Sequence, residues 1–409
     1  MSKVRTALVI GGGIAGPVAA TALHKAGIEA TVHEAYPAES DGIGGALGLA
    51  PNGLAALGVI GADEAVRAIA DPMRRMVMSF GGRPQVLPGL PDVTPLHMVA
   101  RGDLHRVLRE RAVAAGVRFA YGKRLVAAED GPDGVTARFA DGTSARADVL
   151  IGADGIRSTV RSLIDPDAPG PDYTGLLGLG GLADVDLDVA PGTTTFAYGK
   201  RAYYLYWPQP GGGTAWGANL PSRTYLTLTQ AREIPAEEWL RRLRETYADD
   251  VPGGELAGRT TPESLQIVGG LHIMPPVPHW YRGRMVLVGD AVHAPSNSTG
   301  QGASLAIESA IELARCLRDL PDPSSAFAAY ERLRRTRVEK IAARGAKVNH
   351  TKAPGPVARR IIPVLMPLAF KVMNVEKSLS WEQRHTIDWD TPATMVEHPS
   401  TAPAGTAGP

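Results

Sequence analysis

Cysteine is almost missing from this chain: Cys316 is the single one in 409 residues. That excludes an internal disulfide, a dithiol active site and a cysteine-based metal centre, and it fits a reducing compartment such as the cytoplasm. No metal is expected. Charge of either sign is not in excess. The formal net charge of +1 excludes nucleic acid as the main partner and a polybasic membrane anchor. Long apolar runs are absent as well. The nearest, Ile361 to Phe370, is interrupted by Pro363 and Pro367 and is too short to span a bilayer. It reads as a docked C-terminal helix. Lys3 and Arg5 ahead of an apolar stretch resemble a signal peptide, but that stretch reads better as the first strand of a fold.

Glycine (47) and proline (33) are plentiful, with 44% apolar and 21% charged residues, the balance of a globular chain of two or three domains. Val4–Ile10 reads as a strand, Gly11–Gly16 as a turn, Ala15–Ala26 as a helix and Ile28–His33 as a second strand, a βαβ opening. Pro37–Asn52 reads as a glycine-rich loop, Met73–Phe80 as a strand, and Asp103–Ala115 as a helix capped by Asp103. Three strand-like runs, 124–129, 134–139 and 143–146, form a meander. Asp148–Gly152 and Arg284–Val288 are buried strands. Residues 171 to 272 carry short β-rich aromatic runs and one helix near Ala236–Tyr247. Long helices follow over Gly302–Leu317 and Ser324–Ala346.

This pattern predicts an α/β fold. A Rossmann-like unit, a βαβ parallel sheet plus a β-meander, spans 1–72, 97–170 and 273–345. A mainly antiparallel β-sheet unit, 73–96 and 171–272, is inserted into it. A C-terminal helical segment over 346–391 and a disordered tail over 392–409 complete the chain. No internal repeat is visible.

Three separated motifs carry the chemistry. Gly11-Gly12-Gly13-Ile14-Ala15-Gly16 follows a strand and opens a helix, with Glu34 at the end of the next strand. Gly11 permits the tight turn, Gly13 admits a pyrophosphate close to the backbone, and Gly16 lets helix and strand pack closely. The helix N-terminus offers free N–H groups to phosphates, and Glu34 is placed to accept from an adenosine ribose. Asp154-Gly155 ends the second buried strand; alone it also reads as a capped strand-to-helix turn. Gly289-Asp290 ends the third, followed by Gly300-Gln301-Gly302-Ala303 at the start of a long helix. A carboxylate there suits a polyol chain, and without a ligand it would be a plain helix entry.

In order and spacing these motifs resemble the single-component FAD-dependent aromatic hydroxylases, the p-hydroxybenzoate hydroxylase-like monooxygenases, over about residues 4 to 345. Arg101-Gly102-Asp103-Leu104 resembles the family's arginine-before-helix segment that contacts FAD, and Gly44-Gly45-Ala46 its glycine loop beside the flavin. The resemblance implies that Glu34 holds the adenosine ribose, Asp290 the ribityl chain, and that Asp154 helps shape the FAD and nicotinamide sites. It implies hydroxylation or epoxidation of a hydrophobic aromatic or polycyclic small molecule by a flavin C4a-hydroperoxide, with NADH or NADPH as a transient reductant and O₂ as co-substrate. A flavin-dependent reductase or halogenase on the same fold, and a non-oxygenating FAD-binding protein, are the alternatives. The halogenase Trp-x-Trp-x-Ile-Pro signature is absent.

The chain departs from the family pattern at Ser296-Asn297, where two prolines are frequent, and at Ser304 and Ser309, where Asn and an acid are common. Candidates for substrate contact are Arg201, Tyr203 and Trp207, on one face of an aromatic strand that also fits ordinary β-propensity. His293 is either a phenolate-stabilising group or a packed histidine. Cys316 reads as an inert core residue.

Overall fold

Residues 3–38, 45–90, 92–352 and 375–394 are described in the computed structural model of the chain. The sheet that organises the rest has six strands. In spatial order they are Tyr281–Arg282, Met285–Leu287, Val149–Gly152, Thr6–Ile10, Glu29–His33 and Arg118–Ala120. All are parallel except the first, a short antiparallel edge. Its inner strands are continuous apolar runs, as a sheet covered on both faces requires; Val149, Leu150, Ile151, Val286 and Leu287 are all solvent-free. The alanine-rich helix Ala15–Lys25 packs against the long helix Gly302–Asp319. Small side chains let the two backbones and the sheet approach closely. At Gly152 a Cβ would meet Val160 and Leu287 within 2.9 Å.

The second sheet has seven strands: Thr260–Ile273, Asp172–Ala183, Thr214–Pro221, Tyr203–Pro208, Thr193–Tyr198, Arg75–Phe80 and Arg83–Val86. It is antiparallel apart from the parallel pair Thr193–Tyr198 with Arg75–Phe80. Period-two alternation gives it two faces with different tasks. Leu177, Leu179, Ala197, Tyr204, Tyr206, Trp216 and Ala218 form a second core with Trp239, Leu243 and Tyr247 from the overlying helices. The polar tips of that core are satisfied: Trp216 Nε1 donates to Thr260 Oγ1 at 2.9 Å, and the Tyr247 hydroxyl donates to the carbonyl of Tyr203 at 3.0 Å. The opposite face carries Tyr203, Leu205, Trp207 and Asn219. Two three-stranded sheets complete the set. One is the meander of residues 125–147. The other orders Ala46–Leu49, Leu96–Ala100 and Asp71–Met73.

Several expectations are refined. Met73–Phe80 is two strands in two sheets, divided at Arg74. The glycine-rich stretch to Asn52 includes the strand Ala46–Leu49 and the start of the helix Pro51–Val59, because Pro51 at the first helical position is preorganised for a helix. The helix expected to begin with Asp103 as its cap begins at Arg101, with Ala100 in the cap position. The 171–272 region holds three helices, not one: Leu228–Glu233, Ala236–Tyr247 and Gly253–Arg259. Residues 392–394, assigned above to the tail, are seated, with Ala393 N–H donating to Asp319 at 2.8 Å. Gly44 and the expected helix within 354–374 lie outside the described residues, as do 395–409. No helix among the described residues is long and apolar enough to cross a membrane.

Candidate functional site

The three motifs leave the six-stranded sheet at one level. Ile10 is in register with both His33 and Gly152, and Gly152 with Leu287. The next hydrogen bonds continue that level: Gly11 N–H to His33 O at 2.9 Å, Ala153 N–H to Ile10 O at 2.8 Å, and Val288 N–H to Gly152 O at 2.9 Å. Four adjacent parallel strands therefore end together, and their C-terminal continuations carry Glu34, the glycine turn, Asp154 and Asp290. Neighbouring strands are about 4.8 Å apart, so these groups line a crevice about 14 Å long. Ligands of open α/β sheets bind at this edge.

Close backbone contacts fix the crevice. Gly11 has φ +104°, and a Cβ there would lie 2.4 Å from the Ala153 carbonyl oxygen and 2.9 Å from Asp154 Cα. The first and second motifs are thus in direct contact. Gly289, at φ +62°, would place a Cβ 3.0 Å from Ala15 and 3.2 Å from Ala306, which joins the third motif to the first helix and to the helix that follows Gly300-Gln301-Gly302-Ala303. Gly16 faces the Gly11 carbonyl at a distance that admits no side chain. A Cβ at Gly13, in contrast, would meet nothing within 4 Å. That open space lies beside Ile14 and Ala15, where the first helix begins without a side-chain cap, so its first N–H groups are unclaimed by any capping side chain.

The carboxylates differ in what they do. Glu34 accepts from Gly12 N–H at 2.6 Å and from Tyr36 N–H at 2.9 Å, tying the second strand's end to the turn. Asp154 accepts from the Ser158 hydroxyl at 2.5 Å and from the N–H groups of Thr159 and Val160 at 2.7 and 3.1 Å. It closes the start of the helix Thr159–Ile164, although burial still pushes its carboxyl above the usual range. Asp290 has no hydrogen-bond donor among the described residues. Burial pushes its carboxyl up as well, countered in part by the nearby Arg101 guanidinium. A half-buried carboxyl without a donor, at the end of a strand, suits the hydroxyls of a polyol. Arg101 is also fixed by its own backbone: its N–H donates to the Gly45 carbonyl at 3.2 Å, and Ala46 pairs with Ala100.

The far wall of the crevice is the second face of the seven-stranded sheet. Gly45 lies beside Gln266, whose Oε1 is 3.3 Å from where a Cβ would stand. Asn297 Nδ2 donates to Asn219 Oδ1 at 3.4 Å, linking the loop before Gly300 to that sheet. Trp207 packs with Met73 and Met98 as a small apolar cluster at one end. Tyr203 is buried on the same face, with its ring 5.3 Å from Tyr198.

Two candidates lie elsewhere. Arg201 is turned to the helix side, where it bonds the carbonyls of Glu245 and Thr246 at 3.3 and 3.2 Å and pairs with Asp249 at 2.5 Å. The strand begins only at Tyr203, so the alternation that placed Arg201 with Tyr203 does not reach it. His293 is packed inside, with its Nε2 2.8 Å from the Ser309 hydroxyl and its ring beside Trp280. Burial, reinforced by Arg334, lowers its pKa to about 3. It is a neutral packed histidine. Cys316 is buried, and burial raises its thiol pKa far above the ordinary range.

Sequence reasoning did not single out a buried network behind the site. Asn52 Nδ2 bonds Gln301 Oε1 at 2.9 Å and Glu308 at 2.6 Å, and Ser304 Oγ accepts from Ala50 N–H at 3.0 Å. Glu308 and Ser309 then engage Arg334, and Glu308 also engages Arg337. Ser304 and Ser309, two of the departures from the family pattern, are both members. At Gly53 a Cβ would lie 2.6 Å from Ser304 Oγ, so these two helices touch at that point.

Known proteins share this arrangement. The FAD binding domain family profile matches residues 4–345. The chain is 31% identical to the aurachin C monooxygenase/isomerase of Stigmatella aurantiaca over 80% of this chain and 85% of that one. It is 36% identical to the 3-amino-4-hydroxybenzoate 2-monooxygenase PtmB3 of Streptomyces platensis, over 84% and 87%. In three dimensions it is similar to the crystal structure of Klebsiella pneumoniae HpxO complexed with FAD and uric acid, with a TM-score of 0.80 and 26% identity over 93% of this chain and 96% of that one. With the strand-end convergence and a profile match spanning most of its length, the chain belongs to the FAD-binding-domain family of single-component, FAD-dependent aromatic hydroxylases.

Proposed function

We propose that the protein is an NAD(P)H-consuming monooxygenase that adds one oxygen atom of O₂ to a hydrophobic aromatic or polycyclic small molecule. The observation that carries this reading is the single level at which Glu34, Gly11–Gly16, Asp154 and Asp290 leave the sheet, opposite an apolar sheet face. In this reading residues 1–72, 97–170 and 273–345 form the cofactor unit, and 73–96 with 171–272 the substrate unit. The reaction takes place in the cytoplasm, where NAD(P)H is supplied.

FAD fits the residues present. The open space at Gly13 and the helix N-terminus behind it suit the pyrophosphate, with Gly11, Ile14, Ala15 and Gly16 shaping the turn. Glu34 suits the adenosine ribose, and the donorless Asp290 the ribityl hydroxyls. Gly45, Ala46, Arg101, Gly289, Gly300, Gly302 and Ala303 complete the cradle. When bound, FAD supplies the electron transfer from NAD(P)H that activates O₂. The protein's own contribution is to orient the substrate ring, to exclude water with the Trp207, Met73 and Met98 wall, and to present the positive end of the Gly302–Asp319 helix to developing negative charge.

The test is oxygen-18 incorporation. With ¹⁸O₂ and NADH or NADPH, an aromatic that stimulates reductant consumption gains one labelled atom. Product formed without label favours the reductase reading, and flavin that neither reductant reduces across a broad aromatic panel favours a non-oxygenating protein. Asp290→Ala is expected to purify with little or no FAD; an unchanged flavin spectrum contradicts the placement of Asp290.

A further inference from the structure

The wall opposite the strand ends holds two buried polar side-chain atoms without a partner among the described residues, Thr194 Oγ1 on an outer strand and Asn219 Nδ2 nearer the strand ends, and the second is the stronger donor. Asn219 is 4% exposed. It stands in register with Tyr203 on one neighbouring strand and Gly178 on the other, on the face opposite Ala218 and Leu220 of the second core. Its Oδ1 accepts from Asn297, which holds the amide plane against the loop before Gly300. Its Nδ2 has no hydrogen-bond partner among the described residues. Buried donors are almost always paired, and an orphan costs stability that a purely structural asparagine would have no reason to bear.

The surroundings narrow what answers it. Same-face positions on the adjoining strands are Gly178, Gly180 and Leu182; Ala215 and Gly217; Tyr203, Leu205 and Trp207; Thr194, Phe196 and Tyr198. None is charged. Glycines on two neighbouring strands make room for Leu271 and Val268, which a Cβ at Gly178 would meet at 2.9 and 3.1 Å, and for Leu205, 3.2 Å from a Cβ at Gly217, so the centre of this face is aliphatic and aromatic rings border it. A flat apolar ring system has aliphatic and aromatic partners on such a surface. A carboxylate on that ring would be desolvated here with no cation at these positions to offset it, the Arg83 of the same face standing four strands away from Asn219, whereas a neutral oxygen acceptor needs only the N–H that Asn219 offers.

We propose that Asn219 orients the substrate, its free amide N–H selecting a neutral, flat, carbonyl-bearing ring system over a carboxylate-bearing one of equal size. This rests on the monooxygenase reading above, which seats the flavin against the same face.

The experiment uses the FAD-loaded protein and three bicyclic probes: 4-quinolone, naphthalene and 2-naphthoate. Equilibrium dialysis gives each affinity, and the flavin difference spectrum reports whether the bound ring touches the cofactor. The wild type is expected to bind 4-quinolone at least about tenfold more tightly than 2-naphthoate. Asn219→Leu is expected to weaken 4-quinolone about three- to tenfold, the worth of one neutral hydrogen bond, and to leave naphthalene unchanged. Asn219→Ala repeats the comparison if the leucine variant does not fold, and the wild-type ranking is informative without any variant. Equal or tighter binding of 2-naphthoate, or 4-quinolone affinity indifferent to Asn219, overturns the proposal. Asn219-dependent binding that leaves the flavin spectrum untouched supports the amide's role and overturns the seating of the flavin. A flavin perturbed by every ring regardless of residue 219 does the reverse.

Discussion

Asn52 donates from Nδ2 to Glu308 Oε1 over 2.6 Å, joining the helix that follows the glycine loop to the helix that begins at Gly302. Glu308 is fully buried and Arg334 is 1% exposed. Their contact is 2.5 Å, and Arg337 adds two bonds to the same carboxylate at 2.9 and 3.0 Å. Arg337 reaches on to the carbonyls of Trp381 and Glu382, so one carboxylate ties the cofactor-side helix to the C-terminal segment. Burial alone would raise the Glu308 carboxyl, but Arg334 and Arg337 hold it well below the ordinary range. Removing one partner of a buried pair strands the other charges. Glu308→Ala is therefore expected to cost about 3–5 kcal/mol, read as a lower urea midpoint at unchanged slope. A loss under about 1 kcal/mol would show that water or rearrangement satisfies the arginines.

His293 gives the pH dependence a sign. An ordinary imidazole has a pKa near 6.5, and this one is lowered to about 3 in the folded protein. The unfolded chain binds the proton more tightly. Stability from keeping this ring neutral is thus fully present above about pH 6.5 and is lost as pH falls toward about 3. Each pH unit in that window costs about 1.4 kcal/mol per such group. His105 and His385, each lowered to about 4 chiefly by burial, add to the slope. His293→Gln is expected to make the fall in unfolding free energy between about pH 6 and 4 shallower by about 1.4 kcal/mol per pH unit. An unchanged slope would mean that the imidazole is already protonated in the native state.

The cofactor side of the site was legible because its grammar is local. A strand, a glycine turn and a helix within thirty residues state their own geometry, and Gly11, Gly16 and Glu34 stand where that grammar puts them. Convergence was less visible, since no local rule orders Met285–Leu287 next to Val149–Gly152. It had to come from a resemblance, and the register now shows it directly. The substrate side was read in part. Tyr203 and Trp207 share one sheet face, as alternation predicts, but Arg201 precedes the strand, and alternation carries no information there. The tie between Asn219, on a strand, and Asn297, in the loop before Gly300, joins positions far apart in the chain, and no local pattern announces it. Asn52 and Glu308 left no sequence signal at all, because a buried polar network is built from residues whose types are unremarkable one at a time.

Arg201 provides a check on that correction. Its guanidinium is half exposed and held by Asp249 and two helix carbonyls. Arg201→Ala is expected to leave FAD content and substrate-stimulated NAD(P)H oxidation unchanged. The stability change should stay under about 1 kcal/mol, the usual scale for a solvent-screened pair. A large loss of turnover with normal FAD content would return this residue to the substrate site.

The glycine turn separates folding from cofactor binding in one pair of variants. At Gly16 a Cβ would collide with the Gly11 carbonyl oxygen, a backbone atom that has nowhere to move, whereas at Gly13 nothing lies within 4 Å. Gly16→Ala should therefore destabilise the FAD-free protein by several kcal/mol, about 3 or more by analogy with other overpacked sites, or prevent folding. Gly13→Ala should leave the melting temperature of the FAD-free protein unchanged, because the added methyl group touches no protein atom and alanine is the better helix former beside Ile14. Its effect appears only with ligand present, as weaker FAD binding measured by flavin fluorescence. Since a ligand stabilises in proportion to the logarithm of its concentration over Kd, each tenfold loss of affinity should remove about 1.4 kcal/mol of FAD-induced stabilisation. If Gly13→Ala binds FAD as well as the wild type, the open space beside the first helix is not where the pyrophosphate lies.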